Sequence, residues 1–393
     1  MSSDVPPPTP VPAPASAPAK QGVSLVRLVA IALFLALLAG VAYGVMYYNN
    51  QLPPPVDTVS QLREYLKQQG RYAKLADGYT DADGDLVADP PAEAGKRLNP
   101  AELTFTTIVE DDADKSEATW KPFLDHLAAT TGKKVKYLKE LDAPKGEAEV
   151  GPTKLQASDQ QLAALRDGKL HVTAFNTGLV QGAVNTAGFV PMYCPADKDG
   201  KFAYQMEIIV PAKSPAQTPK DLKSGGGDKS AIAFVAMSSN SGAKAPLVLL
   251  KDEFQMLPGP GRDYDFIITG RHASSIKGVA DGKYPAAAVA NDLLARMTAP
   301  GKDGKPEVDP AAVRSVYKSK DFPVLCFGVP HNLDPKLKAD IAKAFETFSF
   351  AGNSVGAEFA AQQRVKFAKV NYKDDWAYVR QIDERLANLL DAK

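Results

Sequence analysis

A chain of 393 residues with 45% hydrophobic side chains is long enough to bury two or three cores, which excludes a chain disordered throughout. The 46 basic and 46 acidic residues leave a formal net charge of zero, so no overall field draws it to nucleic acid or to an anionic surface. Two cysteines and four scattered histidines exclude a disulfide scaffold and any zinc-ligand cluster, and metal catalysis of that kind with it.

Residues 1–22 are dominated by Pro, Ala and Ser, a composition that cannot bury enough apolar surface to fold, and they are expected to form a disordered tail. From Leu28 to Tyr48 the chain is uncharged and almost wholly apolar, and as a helix it would cover roughly 30 Å, the thickness of a bilayer core. The run is too long and too late for a cleaved signal peptide, so residues 23–50 are expected to be a transmembrane anchor. Lys20 and Arg27 precede it and Tyr43, Tyr47 and Tyr48 crowd its far end, which puts the tail in the cytoplasm and everything after residue 50 outside. No cysteine follows the run, so the helix itself must be the anchor.

Residues 51–101 read as a juxtamembrane linker with a short amphipathic helix, Val59 to Gly70, and an acidic loop. In that loop Asp81, Asp83, Asp85 and Asp89 alternate like hard oxygen ligands for calcium, although an EF-hand loop has its glycine sixth and here Gly84 is fourth. A solvated acidic turn explains the same residues.

From Glu102 onward short β-rich runs alternate with helical stretches, the pattern of an α/β domain with a mainly parallel sheet. The expected strands are Leu103–Val109, Val135–Leu138, Leu170–Phe175, Tyr204–Val210, Ala231–Ala236 and Asp265–Ile268. A helix carrying Trp120, Phe123, Leu124 and Leu127 follows the first, and one around Gln160–Arg166 precedes the third. Pro211, Ser214-Pro215, Pro219 and Gly225 to Gly227 punctuate the middle of the chain.

Two strand-to-helix junctions carry chemistry. After Ala236 the chain reads Met237-Ser238-Ser239-Asn240-Ser241-Gly242 and enters an apolar helix, with Ser241 the expected N-cap. Hydroxyls beside the orphan N–H groups of a helix start suit a phosphate-like anion, while an ordinary serine cap is the plainer explanation. The second junction, Thr269-Gly270-Arg271-His272-Ala273-Ser274-Ser275, offers His272 and Ser275 as donors.

From about Glu102 to Lys393 the order of segments resembles the phosphate/phosphite/phosphonate-binding family of ABC-transporter receptors. Its strongest pieces are the Ser-x-Ser-Gly step at Ser239 to Gly242 and the Gly-x-His step at Gly270 to His272 with Ser275 nearby. A third is Gly168 to Thr177, in which the resemblance assigns Phe175, Asn176 and Thr177 to the cleft, with Phe175 where the family often has tyrosine. Tyr317 to Pro323 matches a further aromatic-x-Ser step.

The resemblance implies a type 2-like periplasmic-binding-protein fold, two α/β lobes joined by hinge strands. Lobe 1 would hold residues 102–204 and 323–393 and lobe 2 residues 205–322, with crossings near 205 and 322. By the same analogy Glu110 and Asp111 face the cleft and could accept the proton of a monoprotonated oxyanion, and Asn291 and Asp292 stand where a carboxylate meets a ligand amine. Cys194 and Cys326 fall near the crossings; an exported pair can bridge there or remain two buried thiols.

The implied function is capture of a phosphorus oxyanion for an ABC permease and its ATPase, with no catalysis and no required cofactor. Against an enzyme stand the missing metal cluster, G-x-S-x-G elbow and P-loop. A tethered sensor or scaffold of the same fold remains the alternative, kept open by the anchor and the Pro-rich tail.

Overall fold

The computed structural model describes residues 74–107, 113–139, 152–223, 231–259, 262–301 and 304–389, together with Phe34 and Gly40. The chain divides into two compact units, Met1–Val56 and Asp57–Lys393, and every element below belongs to the second. The expected tail, anchor and 59–70 helix lie outside the described residues, the anchor but for those two positions. Among the described residues no helix is long and apolar enough to cross a membrane.

The first sheet has the strand order β11-β4-β10-β3-β1-β2. It is built from β1 (Glu102–Thr106), β2 (Lys134–Tyr137), β3 (Val172–Phe175), β4 (Phe189–Ala196), β10 (Cys326–Pro330) and β11 (Lys366–Lys369). β1 is parallel to β2 and β3, with Phe105 opposite Tyr137 on one side and Val172 on the other. β10 runs antiparallel between β3 and β4, and β11 is antiparallel to β4.

Apolar spacing explains what covers this sheet. On α1 (Ala113–Thr131) the residues Trp120, Phe123, Leu124 and Leu127 recur at the helical period and are all buried. Their rings pack with Phe105, Phe327, Phe345 of α7 (Pro335–Thr347) and Phe367 at tilted or edge-on angles. The helices α2 (Pro152–Arg166) and α3 (Val180–Ala187) flank β3 in sequence.

The second sheet has the order β7-β6-β8-β5-β9. Its strands are β5 (Ala203–Pro211), β6 (Ala231–Phe234), β7 (Asp265–Ile268), β8 (Ala286–Ala290) and β9 (Val313–Pro323). β6 is parallel to β7 and β8, while β5 is antiparallel to β8 and β9. The helices between them are α4 (Ala245–Phe254), α5 (His272–Ala280) and α6 (Asn291–Thr298). Parallel strands buried on both faces read as unbroken apolar runs, as in Ala286–Ala290, rather than as an alternation.

The chain crosses between the sheets twice, from Ala196 to Ala203 and from Pro323 to Cys326. The first crossing precedes the expected position near 205, because β5 pairs with β9 over its whole length, starting with Ala203 opposite Pro323. Arg364 braces it by donating to the Lys201 and Ala203 carbonyls at 2.7 and 2.5 Å.

Two stretches differ from the expected division. Residues 74–101 are not a free linker: Val87 is buried in the core, Leu98 N–H donates to Asn332 O at 2.7 Å, and the Tyr79 ring meets His331 edge-on at 4.8 Å. Their apolar side chains need cover, and the first lobe supplies it. At the other end, 323–393 does not stay wholly with the first lobe. The helices α8 (Ser354–Phe359), α9 (Tyr372–Asp375) and α10 (Ala377–Ala387) close the chain, and α10 packs on α4 of the second lobe.

Candidate functional site

The site is assembled where the first junction of the second lobe meets the turn after β3. At that junction Ser239, and not Ser241, is the N-cap: its hydroxyl accepts from Gly242 N–H at 3.1 Å. The first turn, Asn240–Lys244, is a π-helix that runs into α4, and its wider ring shifts the cap two residues upstream. Ser239 O takes both the Ala243 and Lys244 N–H groups. Ser238 is half-buried beside this start, and Gly242 is buried with no room for a side chain, since a Cβ there would lie 2.5 Å from that of Val235.

Facing it, Asn176 Oδ1 accepts from Gly178 and Leu179 N–H at 3.1 and 3.2 Å and fixes the turn into α3. Thr177 is buried and donates to Pro323 O at 2.7 Å, across to the second crossing. Gly178 touches the opposite lobe directly. A Cβ on it would stand 2.3 Å from Ser238 O and 2.8 Å from Asn240 N, so glycine alone fits this approach.

Phe175 does not present its ring to an open cleft. It is 1% exposed and packs edge-on against Phe189 at 5.0 Å, because every side chain of β3 is buried. Glu110 and Asp111 lie outside the described residues.

Three residues that the sequence reasoning passed over sit at the centre. Tyr204, in the second lobe's entering strand, is buried, and Asn240 Nδ2 donates to its phenol oxygen at 3.3 Å. Ser241 and Thr177 lie beside the same phenol, whose pKa burial raises. Lys244, 1% exposed, donates to Gly178 O at 2.6 Å and pairs with Asp383 of α10 at 2.9 Å.

At the second junction Ala290 N–H donates to His272 Nδ1 at 3.2 Å, which places the imidazole proton on Nε2. Burial pushes the His272 pKa down to about 4, so the ring is a neutral donor at physiological pH. Ser275 is fully buried and its hydroxyl is shared with Thr269 at 2.6 Å, which ties β7 to α5. Asn291 Oδ1 accepts from Gln205 N–H at 2.8 Å. Asp292 Oδ1 accepts from Leu293 N–H at 2.8 Å, and burial raises its pKa. Ser319, in the aromatic-x-Ser step, is structural and accepts from Met206 N–H at 2.9 Å.

Of the two alternatives open for Cys194 and Cys326, the structure has the second: both are free, fully buried thiols. They are neighbours, since Phe327 faces Tyr193 in the β10–β4 pair, and Cys326 Sγ donates to Phe327 O at 3.4 Å.

The acidic loop draws Asp81, Asp83 and Asp85 together, with one carboxylate oxygen of each within 4.8 Å of the others. Leu86 N–H donates to Asp81 at 3.2 Å, Asp85 N–H to Asp83 at 3.3 Å and Val87 N–H to Asp85 at 2.8 Å. Asp89 stands apart from that cluster and accepts from Ala82 N–H at 2.9 Å. Leu86, sixth in the loop, adopts the left-handed φ of 69° that an EF-hand gives to glycine. Burial raises the Asp85 pKa, and Lys373 donates to Gly84 O at 2.9 Å.

The second lobe thus presents both strand-to-helix junctions, with their serines and the neutral His272, and the turn after β3 faces the first of them from the other lobe. The family described as ABC transporter, phosphonate, periplasmic substrate-binding protein matches residues 149–376, more than half of the chain. The chain belongs to this phosphonate-binding family. Its members are the solute-binding components of transporters rather than enzymes.

A search of curated proteins gives no match. Among solved structures, the fold is similar to that of a Xanthomonas citri protein bound to chloride ion, at 15% identity and a TM-score of 0.56, covering 75% of this chain and 100% of that one. A binding-protein component of an ABC phosphonate transporter from Pseudomonas aeruginosa aligns at 16% identity and a TM-score of 0.53, over 75% of this chain and 98% of the other. PhnD1 from Prochlorococcus marinus, in complex with methylphosphonate, aligns at 15% identity and 0.55, over 73% and 99%. At these identities the likeness concerns the fold.

Proposed function

We propose that this member of the phosphonate-binding family is a membrane-anchored receptor that captures phosphate, phosphite or a phosphonate between its lobes and hands it to an ABC permease. The observation that carries the reading is His272, held as a neutral Nε2–H donor at one junction of the second lobe, while the Ser238–Gly242 junction of the same lobe adds serine hydroxyls upstream of the N–H groups that Ser239 already takes. The anchoring part rests on the uncharged run Leu28–Tyr48, and resistance of the full chain to alkaline extraction from membranes tests it.

Calorimetric titration of the full chain in detergent with phosphate, phosphite, methylphosphonate, 2-aminoethylphosphonate and sulfate tests the cargo. One phosphorus species should bind, and His272→Ala should weaken it about tenfold or more, roughly 1.4 kcal/mol. Silence towards all five would favour a tethered sensor or scaffold, a reading that the direct Gly178–Ser238 contact between the lobes also supports.

Calcium is the second ligand of this reading, held by Asp81, Asp83 and Asp85, with Asp89 following in the same loop. The left-handed Leu86 and the nested backbone hydrogen bonds support it. Calcium should raise the melting temperature of the wild type and leave Asp83→Asn unmoved; equal responses would assign the loop to a solvated turn.

A further inference from the structure

After β11 the chain leaves the first sheet and lies across both lobes. Trp376, fully buried, donates its indole N–H to Thr177 O at 3.4 Å, on the turn that follows β3. Two helical turns later Asp383 reaches Lys244 at 2.9 Å. Val379, Ile382, Leu386 and Leu389 are buried in the same apolar cluster as Leu247 and Leu250 of α4, and Arg385 pairs with Asp252 at 3.1 Å. The helix is therefore fastened to the second lobe along its length and touches the first lobe at one end.

Lys244 is where the three parts meet. Its ammonium, 1% exposed, donates to Gly178 O of the first lobe and is neutralised by Asp383 of α10. A buried ammonium is tolerated only while its partners stay in place. Swinging Gly178 away would remove one of them while Asp383 stays, since α10 remains on α4. Opening the cleft thus costs a charge-assisted hydrogen bond supplied by the protein itself, whatever the ligand contributes.

We infer that α9 and α10 form a strap that latches the lobes, with Lys244 as a buried clasp between Asp383 of the strap and Gly178 O of the first lobe. The strap then sets how readily the cleft proposed above opens to take up and release its ligand.

The test measures lobe separation without ligand, so it does not depend on the nature of the cargo. Spin labels at Ala129→Cys and Asp281→Cys, exposed positions of the first and second lobes, report the distance distribution in the full chain. The double variant Lys244→Met with Asp383→Leu removes both charges and leaves none orphaned, so it should fold. Its long-distance population should rise about tenfold over the wild type. If that variant fails to fold, Lys244→Met with Asp383→Asn, which keeps the shape of both side chains and removes both charges, should show the same shift. A distribution identical to the wild type in whichever variant folds overturns the strap. An unchanged distribution in a chain that still binds a phosphorus oxyanion would remove the strap alone, and a shifted distribution in a chain that binds none would remove the cargo reading alone.

Discussion

The phenol oxygen of Tyr204, on the strand that enters the second lobe, lies 3.3 Å from the Asn240 amide nitrogen at the start of the helix that follows β6. Ser241 and, in the other lobe, Thr177 lie beside the same oxygen. One hydroxyl thus stands at the hinge beside both faces of the cleft, in a buried setting where a lost partner is felt. Tyr204→Phe keeps the ring against Phe322 but strands the buried Asn240 amide. Leaving buried polar groups unpaired costs about 1–3 kcal/mol, so urea unfolding of this variant should show a lower midpoint at unchanged slope. A midpoint equal to the wild type would mean that the phenol is not bonded as described.

Gly178→Ala tests the closest approach of the two lobes. The new methyl would sit 2.3 Å from Ser238 O, a backbone atom that cannot rotate aside. Either the lobes part or the β3–α3 turn shifts, at a cost of about 1–3 kcal/mol for overpacking. Scattering in solution should give a larger radius of gyration than the wild type. If size and stability are both retained, the lobes do not meet at this point.

Much of this architecture was legible because it rests on local pattern. The spacing of Trp120, Phe123, Leu124 and Leu127 marked a helix and its buried face, and the run Asp265–Ile268 marked a strand with its observed limits. Less legible were contacts between residues far apart in the chain. Asp383 belongs to the buried stripe of Val379, Ile382 and Leu386, and Lys244 interrupts the apolar run from Ala243 to Leu250. Each is a charge where the pattern calls for an apolar residue, a signal that a buried partner exists, but nothing in either segment names the other. The cap moved from Ser241 to Ser239 because a π-turn has no sequence signature comparable to that of an α-helix start. Ser275 was legible as a hydroxyl near a helix start, whereas its bond to Thr269 depends on how β7 enters α5.

His272 gives a pH dependence of definite sign. Its imidazole titrates near 6.5 when unfolded and at about 4 in the fold, where burial disfavours the charged ring. Between those values the unfolded chain holds a proton that the folded chain does not. The contribution of this group is therefore fully present above about 6.5 and is lost as pH falls through about 4. Replacing it by His272→Gln should flatten the fall in stability over that window relative to the wild type, and the ring resonances of His272 should stay constant from pH 8 down to pH 5, a range above its folded titration. A ring that titrates near its ordinary value would place the side chain in solvent and remove it as a neutral donor.

The thiols of Cys194 and Cys326 are neighbours inside the strand pair that leads to both crossings, and neither is exposed. Burial, and then the neighbouring thiol, push the Cys194 pKa well above its ordinary value, so no thiolate is present at neutral pH to attack a disulfide reagent. In the reduced native chain both cysteines should be silent towards an aromatic disulfide over a time in which a free thiol reacts completely, and both should react once denaturant is added. The rate of labelling at intermediate denaturant then reports opening of β4 from β10, because the reagent cannot reach either sulfur until those strands separate. Cys326→Ala should leave Cys194 equally silent, since its protection comes from the surrounding core and not from its partner. Rapid labelling of the native single-cysteine chain would instead place the sulfur within reach of solvent and mark the two crossings as the first part of the molecule to open.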